Sequence, residues 1–79
     1  MEELTTFKDF YIRALENYNR RDFQGAIGPF RKALALKEDR NAYHGLGWSL
    51  FQVEEFRDSI DAFHKAIALK EDWNSYQGL

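Results

Sequence analysis

The feature that most constrains the fold is a duplication that fills most of the chain. Residues 23–46 read FQGAIGPFRKALALKEDRNAYHGL, and residues 56–79 read FRDSIDAFHKAIALKEDWNSYQGL. A shift of 33 positions places identical residues on one another at 14 of the 24 positions, including Phe23, Ile27 and Phe30 on Phe56, Ile60 and Phe63. A repeat of this length is typical of stacked supersecondary units that share one continuous core.

Each copy is predicted to be helical, because its apolar residues recur at spacings of three and four. Thr5 or Thr6, then Asp22 and then Asp39 have the side chains that cap helix starts. Glu54 and Glu55 mark the turn before the next helix, which we expect to end near residue 70, with Asp72 capping a short final helix. The expected fold class is therefore all-α, built from antiparallel helix hairpins.

Pro29 lies inside the second predicted helix and breaks its local pattern. Proline has no backbone N–H, and its ring presses on the carbonyl group of Gly25, which costs about 3 kcal/mol in a regular helix. The helix either kinks at this point, with Gly25 and Gly28 relieving the strain, or begins late. We favour the kink, because the second copy has Ala62 at the equivalent position.

Composition limits the classes of function. The 79 residues are enough for one small domain, and the net charge of −2 offers no positive field for nucleic acid. There is no cysteine, no signal peptide pattern and no long apolar run, so we expect a cytoplasmic protein without membrane insertion or thiolate metal sites. Aromatic residues make up 16% of the chain, more than a small core needs, and some are candidates for a contact surface.

The second copy carries an ordered pattern of aromatic, leucine, glycine and small residues on its two helices: Tyr43, Leu46, Gly47, Leu50, Ser59, Phe63 and Ala66. This pattern resembles the tetratricopeptide repeat, a helix–turn–helix unit. The resemblance implies a single domain, residues 1–79, folded as a right-handed superhelical stack. Unit one spans about 7–39 and unit two about 40–72, and residues 73–79 form a partial third unit or a capping helix.

The first copy departs from the family pattern in its first helix. Arg13 and Asn17 occupy the positions where the family has leucine and tyrosine, and Arg21 and Glu54 replace the usual turn glycine in the two copies. Both copies also lack the closing proline. These departures concern the local turns and the pitch of the stack.

The resemblance implies a binding module in which the first helix of each unit lines a concave groove. By position, this groove would be lined in unit one by Lys8, Tyr11, Leu15, Tyr18 and Asn19, and in unit two by Asn41, His44, Gly45, Trp48, Phe51 and Gln52. One subclass of the family grips a C-terminal carboxylate with lysine, arginine and asparagine side chains in the groove. Tyr11, Leu15 and Gly45 stand where much of that clamp would be, so we expect an apolar or amphipathic peptide as the partner.

Trp48 and Phe51 support a contact surface independently of any family. They lie off the helical stripe formed by Tyr43, Leu46 and Leu50, so that one helix has apolar groups on two faces. Large aromatic residues on such a patch are typical of interface hot spots. The alternative is that both residues pack in the core against Tyr11, Leu15 or Tyr18 of the neighbouring helix.

Asp58, Asp61 and His64 are the one arrangement suggestive of metal chemistry. Two-metal bundles use a carboxylate three residues before a histidine, but they draw inward-facing ligands from several helices. Here the three residues share the polar side of one helix, so we interpret them as a solvated face. We find no nucleophile, phosphate loop or cysteine–histidine cluster and predict neither an enzyme nor a cofactor.

A structural role is the main alternative to a binding module. The chain would then be a structural spacer or a self-assembling repeat segment of a larger multi-repeat protein, whereas a binding module is expected to be a monomer. Self-association would use the exposed C-terminal end of the stack, formed by Ile60, Phe63, Ile67, Trp73 and Tyr76.

Overall fold

Four α-helices make up the protein in the computed structural model, which describes the backbone of residues 6–77 and the surroundings of the side chains from 6 to 69. The helices are α1 (Phe7–Asn19), α2 (Phe23–Leu36), α3 (Arg40–Gln52) and α4 (Phe56–Gln77). Residues 6–77 contain no strand, which confirms the prediction of an all-α fold. Within the same range, no helix is long and apolar enough to cross a membrane.

The helices pack as two hairpins that lie side by side. α1 packs on α2 and α3 packs on α4, and each pair is joined by a short connection, residues 20–22 and 53–55. Packed helices joined by so short a connection run antiparallel. α3 also packs on α2 and touches α1, which brings the two hairpins together.

The helix starts follow the capping residues in the sequence. Thr6, Asp22 and Asp39 each accept a hydrogen bond from the backbone N–H three residues later, at 3.1, 3.0 and 3.0 Å. The predicted caps at Thr6, Asp22 and Asp39 are thus confirmed, whereas the alternative Thr5 lies outside the described residues. Arg21 and Glu54 hold equivalent places in the two hairpin connections and both have a positive φ, 65° and 69°, a conformation that glycine usually supplies.

Pro29 lies within α2, which begins at Phe23 and not after the proline. Because Pro29 has no N–H, the carbonyl group of Gly25 loses its helical partner. The side-chain amide of Asn17 on α1 donates a hydrogen bond to that carbonyl at 2.9 Å. Arg20 in turn donates to the Asn17 side-chain oxygen at 2.7 Å, which orients the amide. The proline is therefore compensated from the neighbouring helix.

The predicted break between α4 and a separate final helix is wrong within the described residues. α4 runs without interruption from Phe56 to Gln77, although residues 70–72 repeat the Lys-Glu-Asp of the non-helical connection 37–39. Lysine and glutamate are good helix formers, so this tripeptide does not end a helix by itself. The connection at 37–39 is stabilised because α3 packs back on α2.

The core lies between the helices and consists of small, aliphatic and aromatic side chains: Ala14, Ala26, Ile27, Phe30, Ala42, Leu46, Leu50 and Ala62. The sequence predicts a close approach of another backbone to Gly47. The close approach is present, but the partner is the ring of Phe63, which would lie 2.8 Å from a Cβ atom at Gly47. Ser59 adds a buried hydrogen bond to the Gly47 carbonyl oxygen at 2.9 Å, which joins α4 to α3.

Candidate functional site

A hollow of about 230 Å³ separates the first helices of the two hairpins, α1 and α3. We call it the first hollow. Its lining contains aromatic, aliphatic and polar side chains but no charged one: Tyr11, Leu15, Tyr18, Phe30, Asn41, His44 and Gly45.

The first hollow is shaped by the packing of α3 on the ring of Phe30. Phe30 is fully buried, and a Cβ atom at Gly45 would overlap its ring, so that only glycine lets α3 approach this closely. Tyr11 and Tyr18 of α1 contact the same ring edge to face, with centroids 6.2 and 6.3 Å away. The base of the first hollow is thus a packed cluster of three aromatic rings, and Phe30 and Gly45, which set it, both belong to the duplicated pattern.

A second, larger hollow of about 420 Å³ lies on α3 and α4, next to the first. We call it the second hollow. Its lining is mainly apolar, with one cationic side chain at its edge: Arg40, His44, Trp48, Phe63, Ala66 and Ile67. His44 lines both hollows, so the two form one continuous surface along α3.

Trp48 and Phe51 are partly exposed beside these hollows. Trp48 is 39% exposed and Phe51 45% exposed, and their ring centroids are 5.6 Å apart in an edge-to-face arrangement. Trp48 also meets Phe63 of α4, with centroids 5.3 Å apart, and Phe51 meets Phe56 at 5.5 Å. These aromatic contacts hold both residues within their own hairpin. Because both rings are partly exposed, Trp48 and Phe51 form a row of aromatic side chains that a ligand can reach.

Two tyrosines have a raised pKa, and one of them, Tyr11, lines the first hollow. Burial raises the pKa of Tyr11, and the negative charge of Asp39 adds to this effect. Burial also raises the pKa of Tyr43, whose hydroxyl group donates a hydrogen bond to Glu38 at 3.2 Å. The raised pKa means that the Tyr11 hydroxyl group stays neutral to a higher pH than that of an exposed tyrosine.

The structure brings together most of the residues that the sequence singles out. Tyr11, Leu15, Tyr18, Asn41 and His44 line the first hollow, as does Gly45. His44 and Trp48 line the second hollow, and Phe51 packs at the edge of Trp48. Gln52 is exposed at the end of α3 and lines neither hollow, and the same is true of Lys8 and Asn19 on α1.

Sequence reasoning missed part of the lining. Phe30, Arg40 and Ala66 line the hollows but are absent from the groove that the sequence predicts. Phe63 and Ile67 were considered only for self-association. The 33-residue shift is a sequence signal for three of these residues, because it places Phe63, Ala66 and Ile67 on Phe30, Ala33 and Leu34 of the first copy.

One of the acidic residues that the sequence singles out on α4 pairs with a basic residue of α2. Asp58 forms an exposed ion pair with Arg31 of α2, 3.6 Å apart. Across the part of the chain whose side chains are described, no three histidine, cysteine or acidic residues are placed to hold a metal ion.

No family model matches this chain. No curated protein and no solved structure matches it either.

Proposed function

We propose that this protein is a non-catalytic binding module that takes an apolar or amphipathic peptide segment of another protein along α3. The peptide would occupy the first hollow and extend over Trp48 and Phe51. We propose further that the two hairpins are tetratricopeptide-like units in a right-handed stack. Two observations support this arrangement. The hairpins pack side by side, and Gly45 of the second hairpin packs directly on the ring of Phe30 in the first.

The exposure of Trp48 and Phe51 carries the proposal. Both rings are ordered by edge-to-face contacts, yet large parts of them face solvent beside a hollow. Ordered aromatic side chains lose little conformational entropy on binding, which is why they dominate interface energetics. Such a row is a suitable anchor for apolar side chains of a peptide.

The chemistry of the lining determines the kind of peptide. No lysine or arginine lines the first hollow, so a C-terminal carboxylate would find no permanently cationic partner there. Asn41, His44 and the Tyr11 hydroxyl group can form hydrogen bonds with peptide backbone, whereas Leu15 and the aromatic rings accept apolar side chains. An extended or helical segment with spaced apolar residues fits this combination.

The test is selection from a displayed library of random 15-residue peptides, followed by affinity measurements on single variants. We expect the selected peptides to be rich in leucine, isoleucine and aromatic residues. Trp48→Ala should weaken their binding at least ten-fold, or about 1.4 kcal/mol, because it removes the anchor. The melting temperature should fall little, because Trp48 is not a core residue.

Leu36→Ala is the matched control, since Leu36 is an exposed large apolar side chain outside both hollows. It should change peptide affinity less than two-fold. The proposal is wrong if Trp48→Ala and Leu36→Ala have equal effects, or if the melting temperature of Trp48→Ala collapses while affinity per folded molecule is kept.

Self-association is a second candidate function, favoured by the exposure of Ile60 and Ile67 on α4. Trp73 and Tyr76, which the sequence also assigns to this surface, lie outside the part with described side chains. Sedimentation across a concentration series separates the two functions. Self-assembly requires dimers or larger species to grow with concentration, and a strict monomer argues for the binding module.

A further inference from the structure

Equivalent residues of the two hairpins differ sharply in exposure. Ile27 on α2 is 7% exposed, whereas Ile60, its counterpart on α4, is 55% exposed. Phe30 is fully buried, but its counterpart Phe63 is only half-buried. The same amino acids at the same helical positions therefore face protein in one hairpin and solvent in the other.

The cause of the difference is α3, which packs on α2 and covers it. Three residues of α3 make this possible. Gly45 lies against the ring of Phe30, where any side chain would overlap it, and Ala42 and Leu46 are buried on the same side of the helix. The contact pattern is thus a small residue, then glycine three positions later, then leucine.

The second hollow reproduces the surface that α3 covers. Its lining residues Arg40, His44, Trp48, Phe63, Ala66 and Ile67 are the 33-residue counterparts of Phe7, Tyr11, Leu15, Phe30, Ala33 and Leu34. In the first hairpin, these six counterparts are all buried or half-buried. Among the described residues, no helix covers the second set as α3 covers the first.

We propose that the second hollow is a docking site for a helix of a partner protein that carries the α3 contact pattern. The helix would place its glycine on the ring of Phe63, as Gly45 sits on Phe30, and its leucine beside Ala66 and Ile67. The interface between α2 and α3 inside this molecule is the template for the complex. This site shares His44 and Trp48 with the proposed peptide surface and adds Phe63, Ala66 and Ile67 of α4, which the peptide proposal does not use.

A second copy of the chain does not supply this helix through α1. The α1 residues equivalent to Gly45 and Leu46 are Ile12 and Arg13, which would put a branched side chain against Phe63 and a charge in the apolar contact. The chain's own residues 73–79 do repeat the start of α3, with Gly78 and Leu79. The experiment therefore has to exclude residues 73–79 of the same chain as a competing occupant of the second hollow.

The probe is a fluorescently labelled synthetic peptide with the sequence of residues 39–52, titrated with the full chain. We expect saturable binding that a Gly45→Leu version of the peptide weakens at least ten-fold, because the new side chain meets the ring of Phe63. Ile67→Glu in the protein should weaken binding of the unchanged peptide to the same extent. Ile67 is 52% exposed, so this change leaves the fold intact.

Leu36→Glu is the matched control in the protein, since Leu36 is 53% exposed and lies outside the second hollow. It should alter affinity less than two-fold. Ile67→Glu should also leave the affinity for library-selected peptides within two-fold. The peptide-binding proposal and the helix-docking proposal can therefore be disproved independently.

Three results would overturn the docking proposal. The first is equal binding of the Gly45→Leu peptide, or no effect of Ile67→Glu. The second is a wild-type chain that binds no peptide while Gly78→Glu binds it, because the chain's own C-terminal segment is then the occupant. The third is a dimer in sedimentation that Ile67→Glu dissolves, because the site then pairs two copies.

Discussion

Two buried serines show how single polar groups affect this small core. Ser59 donates a hydrogen bond to the Gly47 carbonyl oxygen at 2.9 Å, and this bond connects α4 to α3. Ser49 is fully buried as well, but its hydroxyl group has no hydrogen-bond partner among the described residues. A buried hydroxyl group without a partner costs about 1–3 kcal/mol, whereas a satisfied one contributes about 1 kcal/mol.

Substitution of the two serines by alanine should therefore have opposite effects. We expect Ser49→Ala to raise the free energy of unfolding by about 1 kcal/mol and Ser59→Ala to lower it by about the same amount. Urea denaturation followed by circular dichroism measures both. A loss of stability in Ser49→Ala would show that its hydroxyl group has a partner.

At the scale of elements, each hairpin is joined by one hydrogen bond from a side chain to a helix carbonyl. In the first hairpin the donor is Asn17 on α1 and the acceptor is Gly25 on α2, freed by Pro29. In the second hairpin, Leu50, Asp58 and Ala62 stand at the positions of Asn17, Gly25 and Pro29. The hydrogen bond there comes instead from Ser59 on α4, which donates to the Gly47 carbonyl group on α3. Proline and asparagine thus form a pair specific to the first hairpin.

A double-mutant cycle tests this pair. Asn17→Ala should lower the free energy of unfolding by about 1–2 kcal/mol, because the Gly25 carbonyl group is left unpaired. In a Pro29→Ala background the backbone N–H returns, so the same Asn17 change should cost at least about 1 kcal/mol less. Additive effects, measured by urea unfolding of the four proteins, would contradict the pairing.

These elements also show how far the sequence predicts the structure. The caps at Asp22 and Asp39 and the helical stripes follow from local rules, so they were predictable. The role of Asn17 was not, because it depends on a proline that lies on another helix. The continuity of α4 through residues 70–72 was not predictable either. The same tripeptide occurs at 37–39, and the two places differ only in whether the following segment packs back on the preceding helix.

At the scale of the whole molecule, one duplicated hairpin has two environments. The first copy is covered by α3 and contributes Phe30 and Ile27 to the core, and the second copy leaves Phe63 half-buried and Ile60 in solvent. The candidate groove residues Tyr11, Leu15 and His44 were predictable from their helical positions. The second hollow was not, because helical spacing identifies an apolar stripe but not whether another helix covers it.

The most direct test of this account is the stability of two matched variants, Ile27→Ala and Ile60→Ala, in urea unfolding of the isolated chain. Ile27→Ala should lower the free energy of unfolding by about 2–4 kcal/mol, because it opens a cavity beneath α3. Ile60→Ala should lower it by less than about 1 kcal/mol, because its side chain already faces water. Equal losses in the two variants would contradict the claim that only the first copy is covered.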